Sequence, residues 1–103
     1  MSNNPSISII VPVLNEEGSL EIFYTETSKV LREYSDWEMI FVDDGSDDES
    51  FNIIRGITEK DSHVTLIQFF KNFGKADALS EGFNHANGDV VITIDADLQD
   101  DPA

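Results

Sequence analysis

The residues best suited to chemistry gather where an apolar run ends: Val90–Ile94 is followed directly by Asp95, Ala96, Asp97, Leu98 and Gln99. Side chains alternate faces along an extended chain, which turns Asp95 and Asp97 the same way. Two carboxylates so placed repel each other, and a hard divalent cation relieves that repulsion. Mg²⁺ is usually held by one or two carboxylates together with substrate phosphates. A solvated acidic loop after a strand accounts for these five residues equally well, because short motifs often arise without function. A second acidic strand end, Val42–Glu49, carries Asp43, Asp44, Asp47, Asp48 and Glu49 and tips the balance towards a cation.

The bulk numbers agree with a compact acidic domain. A chain of 103 residues is one domain at most, and 40% hydrophobic residues with ten aromatics suffice for a core. Six basic residues against 21 acidic ones give a formal charge of −15, so nucleic-acid phosphates and anionic lipid headgroups should repel the chain unless a local basic patch or a metal intervenes, and no nucleic-acid partner is expected. Nine of those 21 carboxylates lie in residues 43–49 and 95–101, a concentration that suits a cation site. No cysteine is present, which excludes disulfides and thiolate metal sites and suits a reducing compartment. Residues 1–5 lack the regions of a signal peptide, and no apolar run approaches a membrane span. A soluble, cytoplasmic chain is expected.

The elements that must position these residues alternate. Ile7–Val11 reads as a buried strand stopped by Pro12. Asn15 is placed to cap a helix with Glu16 and Glu17 in its first turn and Leu20, Phe23, Tyr24, Thr27, Leu31 and Tyr34 on one face. Trp37–Val42 is a second strand, and Ser46–Glu49 a capping box opening a helix that aligns Phe51, Ile54 and Ile57. Val64–Phe70 is a third strand. Ala76–Ala86 is a helix facing inward through Leu79, Gly82, Phe83 and Ala86, and Asn87-Gly88 ends it before a fourth strand, Asp89–Ile94. The order predicts a mostly parallel sheet with right-handed crossovers and a ligand site outside the carboxyl ends of the strands.

Four segments on that edge carry a family resemblance: Val11–Glu17, Val42–Ser50, Lys71–Lys75 and Asp95–Pro102. In order and spacing they resemble family 2 glycosyltransferases, and most of all the polyprenyl-phosphate branch, which includes dolichol-phosphate mannose synthase and bacterial undecaprenyl-phosphate glucosyltransferases. The likeness covers nearly the whole chain, and four ordered motifs are together highly specific. It implies a GT-A fold: an α/β, Rossmann-like half with a mostly parallel sheet of four strands and helices on both faces. Residues 1–103 would be the N-terminal nucleotide-sugar-binding part of that domain, truncated after the fourth strand. Carried over by position, Pro12, Leu14, Glu16, Val42 and Asp44 would frame the nucleoside. Many relatives have Tyr where Leu14 stands, which implies weaker base stacking or another choice of nucleotide here. Asp95, Ala96 and Asp97 match the metal-binding motif, with Asp95 and Ala96 as donor contacts, Asp95 and Asp97 as ligands of Mg²⁺ or Mn²⁺, and Gln99 as a further ligand. Lys71 and Lys75 would assist with phosphate or orient the donor, or else serve only as helix-start residues on a solvated loop; Gly74 between them permits close backbone approach.

The implied reaction transfers a hexose from a nucleotide-diphosphate sugar, of UDP-glucose or GDP-mannose type, to a polyprenyl phosphate. The family's catalytic base and its membrane-associated parts lie beyond the Asp-Ala-Asp motif, so this chain alone is expected to be inactive. A binding-only module is the first alternative. A receiver-type signalling domain is a second, but the third strand runs into Gln68-Phe69-Phe70-Lys71, where such a domain would need an Asp. His63 and His85 have no ligand partner at fixed spacing, and Trp37 reads as a packing anchor. A sheet edge left uncovered after the fourth strand predicts self-association.

Overall fold

Strand and helix alternate in the order β1 (Ile7–Val13), α1 (Leu20–Leu31), β2 (Trp37–Asp43), α2 (Ser50–Lys60), β3 (Val64–Gln68), α3 (Lys75–His85) and β4 (Val90–Thr93). The structure is a computed structural model and describes residues 5–34 and 36–96. Asp97 and Gln99 lie outside the described residues. The four strands form one parallel sheet in the order β3-β2-β1-β4. The chain builds outward from β1 through β2 to β3, then returns to the far side of β1 for β4. That reversal leaves a crevice at the carboxyl ends of β1 and β4, where ligands settle in open α/β sheets.

β1 is buried at all seven positions because both of its faces are covered. Ile7, Ile9, Val11 and Val13 join Met39 and Phe41 of β2 against Leu20, Phe23 and Leu31 of α1 and Ile54 and Ile57 of α2. On the other face, Ile40 and Val42 meet Ala78 of α3. Gly82 brings α3 so near β1 that a Cβ there would lie 2.4 Å from Ile10 Cγ2. Burying side chains such as Leu20, Phe41 and Ile54 contributes about 1.5–3 kcal/mol each, and most of that is gained on the face with two helices. β4 is an edge strand with Val90, Val91 and Ile92 exposed. No described helix is long and apolar enough to cross a membrane.

Several expected boundaries move, each for a local reason. Pro12 does not stop β1. Val13 accepts from the Asp44 amide on the β2 side, whereas Ile10 accepts from the Ile94 amide on the β4 side. Pro12 therefore turns its missing N–H towards β4, beyond the last paired residue, Ile10, where no ladder bond is lost. Asn15 does not cap α1. It sits at φ 54° in a loop, and Ser19 occupies the N-cap position. α2 likewise begins at Ser50, not at the end of a Ser46 capping box, because Ser46 and Asp47 are engaged with Asn15. β3 ends at Gln68, leaving Phe69 and Phe70 in a loop. α3 faces inward through Ala78 and Gly82, while Phe83 stands half exposed.

Candidate functional site

The carboxyl edge of the sheet is held together by side chains that accept backbone N–H groups. Asn15 makes the first pair of ties: its amide donates to Ser46 Oγ at 2.9 Å, and its Oδ1 accepts from the Asp47 amide at 2.9 Å. The Glu16 amide donates to Ser50 Oγ at 2.8 Å, and the Glu49 amide to Glu17 Oε1 at 2.8 Å. The segments after β1 and β2 are thereby stapled to each other. Asp48 accepts from the Ser50 amide at 2.8 Å and from the Glu17 amide at 3.3 Å. Burial alone would raise its pKa, but hydrogen bonds from Ser50 and Glu17 outweigh that and hold it below the ordinary carboxylate value.

Asp44 ties in the segment after β3. Its buried carboxylate accepts from the Phe73 amide at 2.7 Å and from the Gly74 amide at 3.0 Å. Gly45, at φ 81°, lets the two backbones meet, since a Cβ there would lie 2.5 Å from the Lys71 carbonyl carbon. The close approach expected at Gly74 occurs at Gly45 instead. Around Gly74 there is open space, and glycine is needed there for its φ of 109°. Asp43, the last residue of β2, is wholly buried; its Oδ1 accepts from the Ser46 amide at 3.0 Å, and its Oδ2 has no hydrogen-bond partner among the described residues. After β4, the Ala96 carbonyl accepts from Ser19 Oγ at 2.7 Å, which fixes that segment to the start of α1.

These ties enclose a cleft of about 360 Å³ at the crevice between the ends of β1 and β4. Of the residues singled out from the sequence, Pro12, Leu14, Glu16, Asp44, Lys75, Asp95 and Ala96 line it together. Val42 and Lys71 do not. Val42 is fully buried against α3, and the Lys71 ammonium lies over the Phe70 and Phe73 rings, 5.7 and 5.3 Å from their centroids. Val13, Asn72 and Gly74 also line the cleft. Asn72 lies inside the Lys71–Lys75 motif, and only the turn of that loop reveals which of its residues faces inward.

Lys75, the first residue of α3, pairs its ammonium with Asp95 Oδ1 at 2.8 Å, and both side chains are more than half exposed. Glu16, Asp44 and Asp95 thus set three acidic residues along the cleft against one lysine, Asp44 with its carboxylate turned onto backbone amides. A phosphate-bearing ligand would be repelled unless a cation accompanied it. The donor set suits a hard cation: Asp95 offers a solvent-facing carboxylate whose present partner is itself a cation. Among the described residues, no three His, Asp or Glu side chains converge on one point. The other two ligands expected from the sequence, Asp97 and Gln99, lie outside that range.

Comparison with known proteins places this chain among glycosyltransferases. The family model described as glycosyl transferase family 2 matches residues 8–103. Bactoprenol glucosyl transferase of Shigella phage SfV is 43% identical over 99 residues, which make up 91% of this chain and 31% of that protein. Undecaprenyl-phosphate 4-deoxy-4-formamido-L-arabinose transferase of Pseudomonas fluorescens is 44% identical over 98 residues, covering 93% of this chain and 29% of that one. Among solved structures, the mannosyltransferase PcManGT from Pyrobaculum calidifontis, in complex with GDP-Man and Mn²⁺, superposes with a TM-score of 0.75. It is 29% identical, and the match covers 93% of this chain and 28% of that one. The chain spans less than a third of the length of each of these relatives.

Proposed function

The chain belongs to glycosyl transferase family 2 and has the GT-A fold, and from that premise we propose that its cleft holds the nucleotide-diphosphate sugar of a hexosyl transfer to a polyprenyl phosphate. The observation that carries this reading is the cleft itself. It opens at the crevice between the ends of β1 and β4, and segments at the ends of all four strands line it with seven of the residues that the family motifs single out. Its size is within the usual range for small-molecule sites. In the reaction, the bond between the sugar's anomeric carbon and the donor phosphate breaks, and a new bond forms to an oxygen of the acceptor phosphate. The nucleoside diphosphate leaves with the electron pair.

Six of the lining residues have work to do in binding the donor or in that step. Pro12 and Leu14 offer an apolar wall for the base, and Glu16 accepts from ribose hydroxyls. Asp44 does not touch phosphate; its carboxylate is spent on the Phe73 and Gly74 amides, and it keeps the wall opposite Asp95 in place. Lys75 meets the leaving diphosphate with its ammonium, where negative charge gathers in the transition state. Mg²⁺ or Mn²⁺ on Asp95, with Asp97 and Gln99 as further ligands, would supply a Lewis acid for that diphosphate. The glucosyl and formamido-arabinose names of the relatives and the GDP-Man complex support a nucleotide-sugar donor, with UDP-glucose and GDP-mannose the first to try. The cytoplasmic face of a membrane is the corresponding location, and the exposed β4 edge supports self-association of the isolated chain.

A second reading is donor binding without turnover by these 103 residues, favoured by the share of each relative that they span. Calorimetric titration tests both. UDP, GDP and their glucose and mannose conjugates are titrated with and without Mn²⁺, into the chain and into Asp95→Ala. The expected result is metal-dependent affinity that falls at least about tenfold in the variant, with turnover assayed separately on undecaprenyl phosphate. A folded chain that binds none of these nucleotides overturns the assignment of the cleft.

A further inference from the structure

The loop after β3 presents an aromatic knob that neither the core nor the cleft explains. Phe70 is 84% exposed and Phe73 42%. Phe73 packs edge-on against both Phe69 and Phe70, with ring centroids 5.5 and 5.2 Å apart. The Lys71 ammonium caps the Phe70 and Phe73 rings from the side. The knob is rigidly placed beside the cleft, because the Phe73 and Gly74 amides are bound to Asp44 and the next residues along, Gly74 and Lys75, line the cavity. Exposed rings clustered with one another and flanked by a flexible cation form an amphipathic tip, apolar at its body and positive at its rim.

We propose that Phe70, Lys71 and Phe73 form a membrane-interface anchor that seats the mouth of the cleft against the bilayer carrying the acceptor. The inference rests on the polyprenyl-phosphate reading of the cleft, since that acceptor's phosphate lies at the headgroup level of a membrane. Aromatic rings settle at that depth, and a lysine beside them reaches back to lipid phosphate. Charge decides between a membrane and a second copy of the chain. At −15, a second copy would bring like charge up to the knob, which leaves self-association to backbone pairing at the β4 edge, whereas zwitterionic lipid presents phosphates to Lys71 without a net charge. Among the described residues, the other exposed apolar side chains sit elsewhere: Leu14 in the cleft wall itself, Ile22 and Val30 on α1 with Tyr34 just after it, Phe83 near the far end of α3, and Val90, Val91 and Ile92 on the β4 edge. The knob is therefore the strongly apolar feature that faces outward from the cleft's own rim.

The test is flotation of the 103-residue chain with phosphatidylcholine vesicles, with and without added undecaprenyl phosphate. The variants are Phe70→Ser, Lys71→Glu and, as a control on the opposite helical layer, Ile22→Ser. The wild-type chain is expected to float with both vesicle types. Phe70→Ser should reduce its partition about tenfold, Lys71→Glu by less, and Ile22→Ser not at all. Thermal melting and nucleotide titration of the same samples should show each variant folded and unchanged in donor affinity. Loss of nucleotide binding across all samples, with flotation intact, would sink the reading of the cleft while leaving the anchor standing. The anchor is overturned if the wild-type chain does not float, or if Ile22→Ser loses as much as Phe70→Ser. Flotation that requires undecaprenyl phosphate would assign the knob to the lipid chain itself, against the proposal. A dimer in sedimentation that Phe70→Ser dissolves would assign it to a second copy, also against the proposal.

Discussion

The two edges of the sheet use the same bond for opposite ends. At the amino edge, Glu38 accepts from Ser8 Oγ at 2.6 Å and from the Asn87 amide at 2.7 Å, and Ser8 Oγ accepts in turn from the Gly88 amide. Asp61 accepts from the Tyr24 hydroxyl and the His63 amide, and the His63 ring stacks on Trp37 with centroids 4.1 Å apart. Those carboxylates are spent on holding the edge together around a smaller hollow of about 290 Å³ lined by Trp37, Glu38, Asn87 and Gly88. At the carboxyl edge, Asp44, Asp48 and Glu17 also accept backbone amides, yet Asp95 and Lys75 remain exposed around an open cleft. The fold therefore spends one set of carboxylates on building the site and keeps another for chemistry. Substitutions should separate the two: builders change stability and binding together, sealants change stability alone, and exposed cleft residues change binding alone.

The largest effect should come from Gly45. Alanine there must take φ 81° and push its Cβ into the backbone at Lys71, which cannot swing aside as a side chain can. A loss of about 3 kcal/mol or more is expected by urea unfolding, with the nucleotide site lost as well. Gly74→Ala is the matched control, strained by φ 109° but free of any clash, and should cost about half as much. Equal losses at the two positions would show that backbone conformation, not the meeting of the two loops, sets the requirement.

Asp44→Ala and Glu38→Ala test the edges directly. Asp44→Ala strands the Phe73 and Gly74 amides and should cost about 2 kcal/mol, with at least a tenfold loss of nucleotide affinity as that wall loosens. Glu38→Ala should cost about 1 kcal/mol, since Ser8 can redirect its hydroxyl, and leave nucleotide affinity unchanged. Calorimetry and unfolding on the same preparations decide. A binding loss in Glu38→Ala would mean that the edges are coupled through β1.

Protonation probes the same division. Burial would raise the pKa of Asp61, but hydrogen bonds from Tyr24 and His63 prevail and hold it below the ordinary value; Asp48 is depressed in the same way at the other edge. Burial, together with Asp61 as hydrogen-bond acceptor and nearby negative charge, pushes the Tyr24 hydroxyl up. A depressed carboxylate stabilises the fold above its unfolded pKa, and that contribution disappears as pH falls through the folded value. Asp61→Asn and Asp48→Asn should each flatten the acid limb of a stability profile taken from about pH 6 down to about pH 3. Only Asp48→Asn should alter nucleotide affinity, because Asp48 helps staple the loops of the cleft.

Much of this was legible in the sequence because the strands carry it. Nine β-branched or aromatic residues in β1 and β2 and the helical spacing of Leu20, Phe23 and Leu31 specify covered strands and an amphipathic helix whatever else surrounds them. The strand ends were legible to within two residues for the same reason, close enough that four motifs at four strand ends had to meet on one edge. Loop partners were not. Asn15 and Ser46 look like caps from their local sequence, and what diverts them is each other, 31 residues apart. Val42 stands in a pocket motif, but its alternation places it towards α3, where Ile40 and Ala78 bury it. Phe70 reads as strand by its residue type and ends up exposed because Lys71 and Asn72 must run against Gly45.

The smallest stability change and the sharpest functional one should coincide at Lys75. Its pair with Asp95 is exposed on both sides, and such pairs contribute at most about 1 kcal/mol. Lys75→Met should therefore melt within a few degrees of the parent chain. The substitution also frees the Asp95 carboxylate from a competing cation, so Mn²⁺ affinity measured without nucleotide should rise severalfold. Removing the ammonium takes a positive charge from beside the diphosphate, so nucleotide affinity measured without metal should fall. Opposite signs are the signature of a residue that competes with the metal for Asp95 while attracting the ligand's phosphates. If both affinities stayed level, Lys75 would be an ordinary helix-start residue, and the cleft's charge would have to be balanced from outside the described residues.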